Sequence, residues 1–138
     1  MKKHIRRLAV LFACICFFAL AGCSKKPVLR LPAPEETQEI EILKNTSETG
    51  KVITDKQQIA QMIADLQNNT KPTRQESVND HPTNIDRYIL IRFHSTNSEL
   101  SPSVAYLYRK MDTCYLEQPY SGIWELEASV LDAIAADL

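Results

Sequence analysis

Few residues in this chain have the types and spacing to do chemistry. Cys114 with His94 or His81 would make a thiol–imidazole pair, the arrangement that activates a sulfur nucleophile. No motif flanks Cys114, and no serine sits in a nucleophile elbow. Strand alternation puts Cys114 on the face of Leu116, where a small buried hydrophobe is the simpler account. Asp80, His81 and Asp86, with Glu76 nearby, are ligand types that suit zinc or calcium. Their spacing fits no metal motif, and such groups in a polar loop are ordinarily solvated, so neither metal nor cofactor is expected. The run Glu117-Gln118-Pro119-Tyr120-Ser121-Gly122-Ile123-Trp124 is more specific. Proline fixes one dihedral, glycine permits a positive one, and two amphipathic rings are set at a fixed bend. It reads either as a rigid binding lip, with Glu117, Gln118, Tyr120 and Trp124 as contacts, or as a corner whose aromatics finish the core. Packing is the commoner fate of aromatics at such bends. With three glycines in the whole chain, a phosphate-cradling loop is excluded.

The N-terminus raises a different chemistry. It begins with Lys2, Lys3, Arg6 and Arg7 and no acid, followed by thirteen uncharged residues, Leu8 to Leu20, then Ala21, Gly22 and Cys23. As a helix that run would rise roughly 20 Å, against a hydrocarbon core of about 30 Å. A basic start, a short apolar core and small residues before a break are the layout of a secretory signal, residues 1–22. Leu20-Ala21-Gly22-Cys23 resembles the bacterial lipobox. That resemblance implies cleavage before Cys23 and a diacylglyceryl group, with palmitate-type chains, on its thiol. Two acyl chains hold a protein on a membrane durably. The alternative is an ordinary signal peptide with an accidental cysteine.

Cleavage before Cys23 would leave 116 of the 138 residues, enough for one domain with a modest core. Four of the sixteen basic residues leave with the signal, so twelve face seventeen acids and the mature net charge is −5. An acidic chain without a basic cluster has no electrostatic footprint for nucleic acid. Nor does it carry a polybasic patch for anionic lipid, which leaves the anchor to do that work. Cys14 and Cys16 also leave, so Cys114 is the one unmodified cysteine and no internal disulfide framework is expected.

The elements that must position these groups follow from periodicity. Residues 23–38, the anchored cysteine and a stretch with Pro27, Pro32 and Pro34, read as a semi-extended tether of up to roughly 45 Å. Residues 39–138 read as a single α+β domain, a small antiparallel sheet with two helices on one face. Glu39 to Leu43 alternates as a strand. Thr54 and Gln57 have capping-box spacing before a helix with Ile59, Met62, Ile63 and Leu66 in one stripe, ended by Asn68-Asn69. Thr70 to Asp86 is long and polar, with a short strand expected around Arg74 to Val78. Tyr88 to His94, Val104 to Lys110 and Thr113 to Gln118 read as strands, the last two joined by a hairpin. Pro119 to Gly122 breaks the sheet, Ile123 to Leu126 adds an extended stub, and Glu127 to Asp137 closes the chain as a helix. Tyr88, Arg92 and His94 share one strand face, and Tyr106 and Tyr108 share one on the next. That face is either a binding surface or one covered by the tether or by the long loop.

VITDKQQIAQMI, KPTRQESVND and above all YLEQPYSGIWEL resemble an uncharacterised family of small Firmicute lipoproteins, classed as a domain of unknown function. The resemblance runs from about Ile53 to Ala135. Similar domains follow the membrane parts of some receptor-type metallopeptidases. It implies an extracytoplasmic module that binds or senses rather than catalyses, and it carries over no catalytic residues. Cys114 departs from an aromatic expected there, and Glu127 from a better helix cap. The expectation is therefore a non-enzymatic cell-envelope lipoprotein, held on the cell membrane through Cys23, facing outward and working with an envelope protein or ligand. The alternatives are an inhibitor or immunity-type lipoprotein bound to another protein, and an envelope hydrolase using the loop acids or Cys114. About a hundred residues are too few for a two-lobed transporter receptor.

Overall fold

Every strand in the fold pairs antiparallel, and the pairing follows the alternation in the sequence. The computed structural model describes residues 26–138 apart from 46 and 48. The expected signal peptide and Cys23 therefore lie outside the described residues. Seven strands form one sheet: β1 (Thr37–Lys44), β2 (Lys51–Ile53), β3 (Thr70–Pro72), β4 (Ile89–Ser95), β5 (Ser103–Lys110), β6 (Thr113–Gln118) and β7 (Gly122–Leu126). Their order across the sheet is β2-β1-β4-β5-β6-β7-β3. Two helices, α1 (Lys56–Asn68) and α2 (Ala128–Ala136), complete an α+β fold.

One sheet face carries Ile40 and Ile42, Ile89, Ile91 and Phe93, Ala105 and Leu107, Cys114 and Leu116, and Trp124 and Leu126. Ile59, Ile63 and Leu66 of α1 and Ile134 of α2 close over it. The α1 stripe is almost wholly buried, as a period near 3.6 requires when a helix has one partner surface. Its N-cap is Asp55, whose carboxylate accepts from Gln57 N and Gln58 N; the capping box expected on Thr54 does not form. Glu127 caps α2 without a side-chain hydrogen bond.

Three elements differ from the sequence expectation. The strand of the long polar segment lies at Thr70–Pro72, paired with β7, and not at 74–78. Pro119 to Ser121 does not break the sheet but turns it: Gln118 pairs with Gly122 and β7 runs back along β6. The third concerns the expected tether, whose described part, from residue 26, joins the domain. Leu29 and Leu31 pack on the core, and a 3₁₀ turn at Pro34–Glu36 leads directly into β1. Thr37 is fully buried, its hydroxyl donating to Ala33 O at 3.0 Å. The domain therefore begins about ten residues before Glu39. The physical reason is a period of two: Leu29 and Leu31 face in while Val28 and Arg30 face out.

The other sheet face has its own smaller apolar cluster. Leu43, Leu90, Tyr106 and Tyr108 are buried there, with Ile85, Tyr88, Val104 and Tyr115 packed around them. Ile85 belongs to the long segment between β3 and β4, which crosses this face.

Candidate functional site

The Glu117–Trp124 run is a hairpin between β6 and β7. Ser121 N donates to Gln118 O at 3.0 Å, closing the turn. Tyr120 takes a left-handed φ of 58° and Gly122 a φ of 154°. A Cβ on Gly122 would lie 2.7 Å from Pro27 Cβ, so glycine here admits the N-terminal segment.

Alternation separates the four candidate contacts. Trp124 points into the helix-side core and is 2% exposed. Glu117 is buried on the opposite face, where its carboxylate accepts Ser77 Oγ at 2.7 Å and Tyr108 OH at 2.9 Å. Gln118 is buried on the helix side, where its amide holds the backbone of Arg30. Tyr120 alone is exposed, at 68%, and its hydroxyl donates to Asp80 Oδ1 at 2.8 Å. Four contacts on one lip are therefore not what the hairpin presents. Three are internal fastenings, and Tyr120 is the exposed one.

Those fastenings assemble a cleft. Pro72 to Val78 line one side, Tyr120 to Gly122 another, and Lys26 and Pro27 complete the wall, around a volume of about 1180 Å³. Glu117 fixes the first side through Ser77, and Gln118 fixes the N-terminal segment through Arg30. The wall offers a phenol, two cations, the Glu76 carboxylate, hydroxyls, an amide and the exposed Val78. Such a mixture can orient a polar ligand or lie against an amphipathic surface. Burial, and the Glu117 carboxylate beside it, push the Tyr108 phenol well above its ordinary value of 10.0. Burial also raises Tyr106, and the hydrogen bond to Asp80 raises Tyr120.

The other candidates are kept apart. Cys114 is buried on the helix side, across the sheet from His94, so a thiol–imidazole pair does not form between them. Arg92 Nη1 and His94 Nε2 meet Glu41 Oε2 at 3.1 and 3.5 Å on β1. Tyr106 and Tyr108 lie buried under the long segment, so of the expected tyrosine-rich surface only the charged end stays open. Among the described residues, no group of three or more His, Cys, Asp or Glu gathers as metal ligands. The loop cleft was not legible in the sequence, because its walls come from three segments far apart in the chain.

Residues 25–125 match the model of the DUF5301 family, described as a domain of unknown function (DUF5300). The chain belongs to this family, which is uncharacterised. A solved structure titled "NMR structure of the protein from Ruminococcus gnavus" has a similar fold, with a TM-score of 0.59 and 23% identity over 74% of this chain and 97% of that one. No curated protein matches. Neither comparison carries a sign of catalysis.

Proposed function

We propose that the protein is a membrane-anchored lipoprotein of the cell envelope, held by a diacylglyceryl group on Cys23 and acting outside the cytoplasm as a binding or sensing module. The anchoring rests on the sequence Leu20-Ala21-Gly22-Cys23 behind a basic, then apolar, start. The observation that carries the binding role is the cleft at the β6–β7 turn, which the exposed Tyr120 lines together with the 72–78 segment. Its most reactive polar neighbours are already committed: Ser77 to Glu117, Glu117 to Tyr108, and Asp80 to Tyr120. Groups spent on one another favour a fixed recognition surface over a nucleophile awaiting substrate. An inhibitor or immunity-type lipoprotein would bind its target protein through the same surface.

The test is in-cell crosslinking from a photoreactive residue at position 120, followed by affinity capture and mass spectrometry. A Cys23→Ala chain, released from the membrane, is the control. One partner recovered in near-equal amount with the anchored chain supports the reading. Turnover of an envelope substrate, abolished by changing Asp80, His81, Asp86 or Cys114, would replace it with an enzyme.

A further inference from the structure

Residues 23–38 read from the sequence as a tether, and their described part, from residue 26 on, instead belongs to the domain. Leu29 and Leu31 pack on the core, Gln118 grips Arg30 by both peptide groups, and Pro27 sits against Gly122. Lys26 and Pro27 line the cleft. Cys23 is three residues before Lys26. Three Cα–Cα steps span at most about 11 Å, whatever path they take. The headgroup layer of one leaflet is itself about 5–7 Å deep. A lipidated Cys23 thus leaves no length with which to raise the cleft clear of the membrane surface.

The residues around that end suit such a position. Tyr120 and Val78 line the cleft and are 68% and 64% exposed. Tyrosine favours the zone where its ring meets acyl chains and its hydroxyl meets water. Lys26 and Arg74 lie in the same wall, with Lys25 adjoining in sequence, and phosphate groups attract such cations; against them stand Glu76 in that wall and Asp80, which is bonded to Tyr120. We infer that the domain rides directly on the phospholipid surface, with the mouth of its cleft, which the exposed Tyr120 and Val78 both line, turned toward the headgroups. This rests on the reading of Cys23 as the lipid anchor. A membrane-facing cleft selects ligands found at that depth, which is where a soluble binding protein would fail to reach.

The experiment uses full-length protein purified from membranes, with its mass establishing the lipid on Cys23. Single cysteines at Tyr120, Val78 and Met111 carry an environment-sensitive fluorophore, while the buried Cys114 is left unlabelled. Met111 is 89% exposed in the β5–β6 turn, at the opposite end of β6 and roughly 20 Å away. The proteins are placed in phosphatidylglycerol–phosphatidylethanolamine vesicles containing headgroup-level spin-labelled lipid. Probes at 120 and 78 should be quenched several-fold more than the probe at 111. Inserting twenty Gly/Ser residues after Ser24 should erase that difference, because such a linker spans roughly 25 Å. Equal quenching at the three sites, strongest quenching at 111, or none in a lipidated protein would overturn the inference while leaving the anchor intact. A mass without lipid would overturn the anchoring reading and this one with it.

Discussion

Gln118 holds the peptide of Arg30 at both ends: its Oε1 accepts from Arg30 N at 3.0 Å, and its Nε2 donates to Arg30 O at 2.7 Å. Eighty-eight residues separate the two. A side-chain amide sets a carbonyl acceptor and an NH₂ donor side by side, so it can accept from the N–H and donate to the C=O of one residue at once. The pair ties the chain's first described segment to the last residue of β6.

Gln118→Ala should therefore act at a distance in sequence. Losing both bonds leaves a half-buried peptide to be satisfied by water, at a cost of about 1–2 kcal/mol. Urea unfolding should show a lowered midpoint with little change in slope. Limited trypsin digestion should cut after the exposed Arg30 faster than in the parent. Unchanged cleavage would mean that Leu29 and Leu31 hold the segment without the clasp.

Glu117 fastens the other side of the cleft, and its two hydroxyl partners make opposite substitutions informative. Glu117→Gln keeps the shape and can still accept one bond. Glu117→Leu strands the hydroxyls of Ser77 and Tyr108 in a buried site, which costs about 1–3 kcal/mol for each unpartnered group. The order of stability should be parent, then glutamine, then leucine. Ser77→Ala should loosen the 73–88 segment selectively, raising amide exchange there while β6 stays protected. Uniform acceleration across the sheet would contradict a local fastening.

Much of this arrangement could be read from the sequence, for a physical reason. Ile40/Ile42, Ile89/Ile91/Phe93 and the α1 stripe each belong to a continuous element whose period reports one buried surface. β6 was legible to its exact ends because Met111-Asp112 and Pro119-Tyr120 punctuate it. The 73–88 segment was not, because its contacts, through Thr73, Ser77, Asp80, Ile85 and Tyr88, are spaced without a period. The expected tether departs from the structure because the two-residue alternation of Val28 to Leu31 packs Leu29 and Leu31 on the core in spite of three nearby prolines. For the candidate site, position alone foretold that Tyr120 sits at a bend. Whether Glu117 and Trp124 face out depends on register, which alternation predicts only once the hairpin turn is known.

Trp124 is the sole tryptophan, so it reports its own environment. Buried at 2% among Leu116, Leu126 and the helices, it should emit at short wavelength and resist aqueous quenchers. Trp124→Ala should remove about 3–5 kcal/mol through lost contacts and the cavity left behind. Gly122→Ala should be costly for a different reason, since the added methyl meets Pro27 while the positive φ persists. Its distinguishing signature is an N-terminal segment newly open to protease. A red-shifted, readily quenched Trp124 in the folded parent would contradict the packing described.

Alkaline pH tests the buried tyrosines. Tyr108 binds its proton more tightly when folded than when unfolded, because burial and the adjacent Glu117 carboxylate both oppose a phenolate. Below the ordinary tyrosine value of 10.0 both states are protonated and this contribution to stability is fully present. Above it the unfolded chain releases a proton that the folded chain retains. Stability must then fall, by up to about 1.4 kcal/mol per pH unit for each such group, until the folded site also titrates. Tyr106, raised by burial, adds to the slope. Unfolding free energies measured by urea between pH 9 and 11.5 should decline steeply in the parent and less so in Tyr108→Phe. That variant keeps the ring in place but gives Glu117 one hydroxyl fewer, so its stability at pH 8 should already be lower by about 1 kcal/mol. Parallel declines in the two proteins would show that Tyr108 titrates as if it stood in water, and the fastening at Glu117 would have to be redrawn.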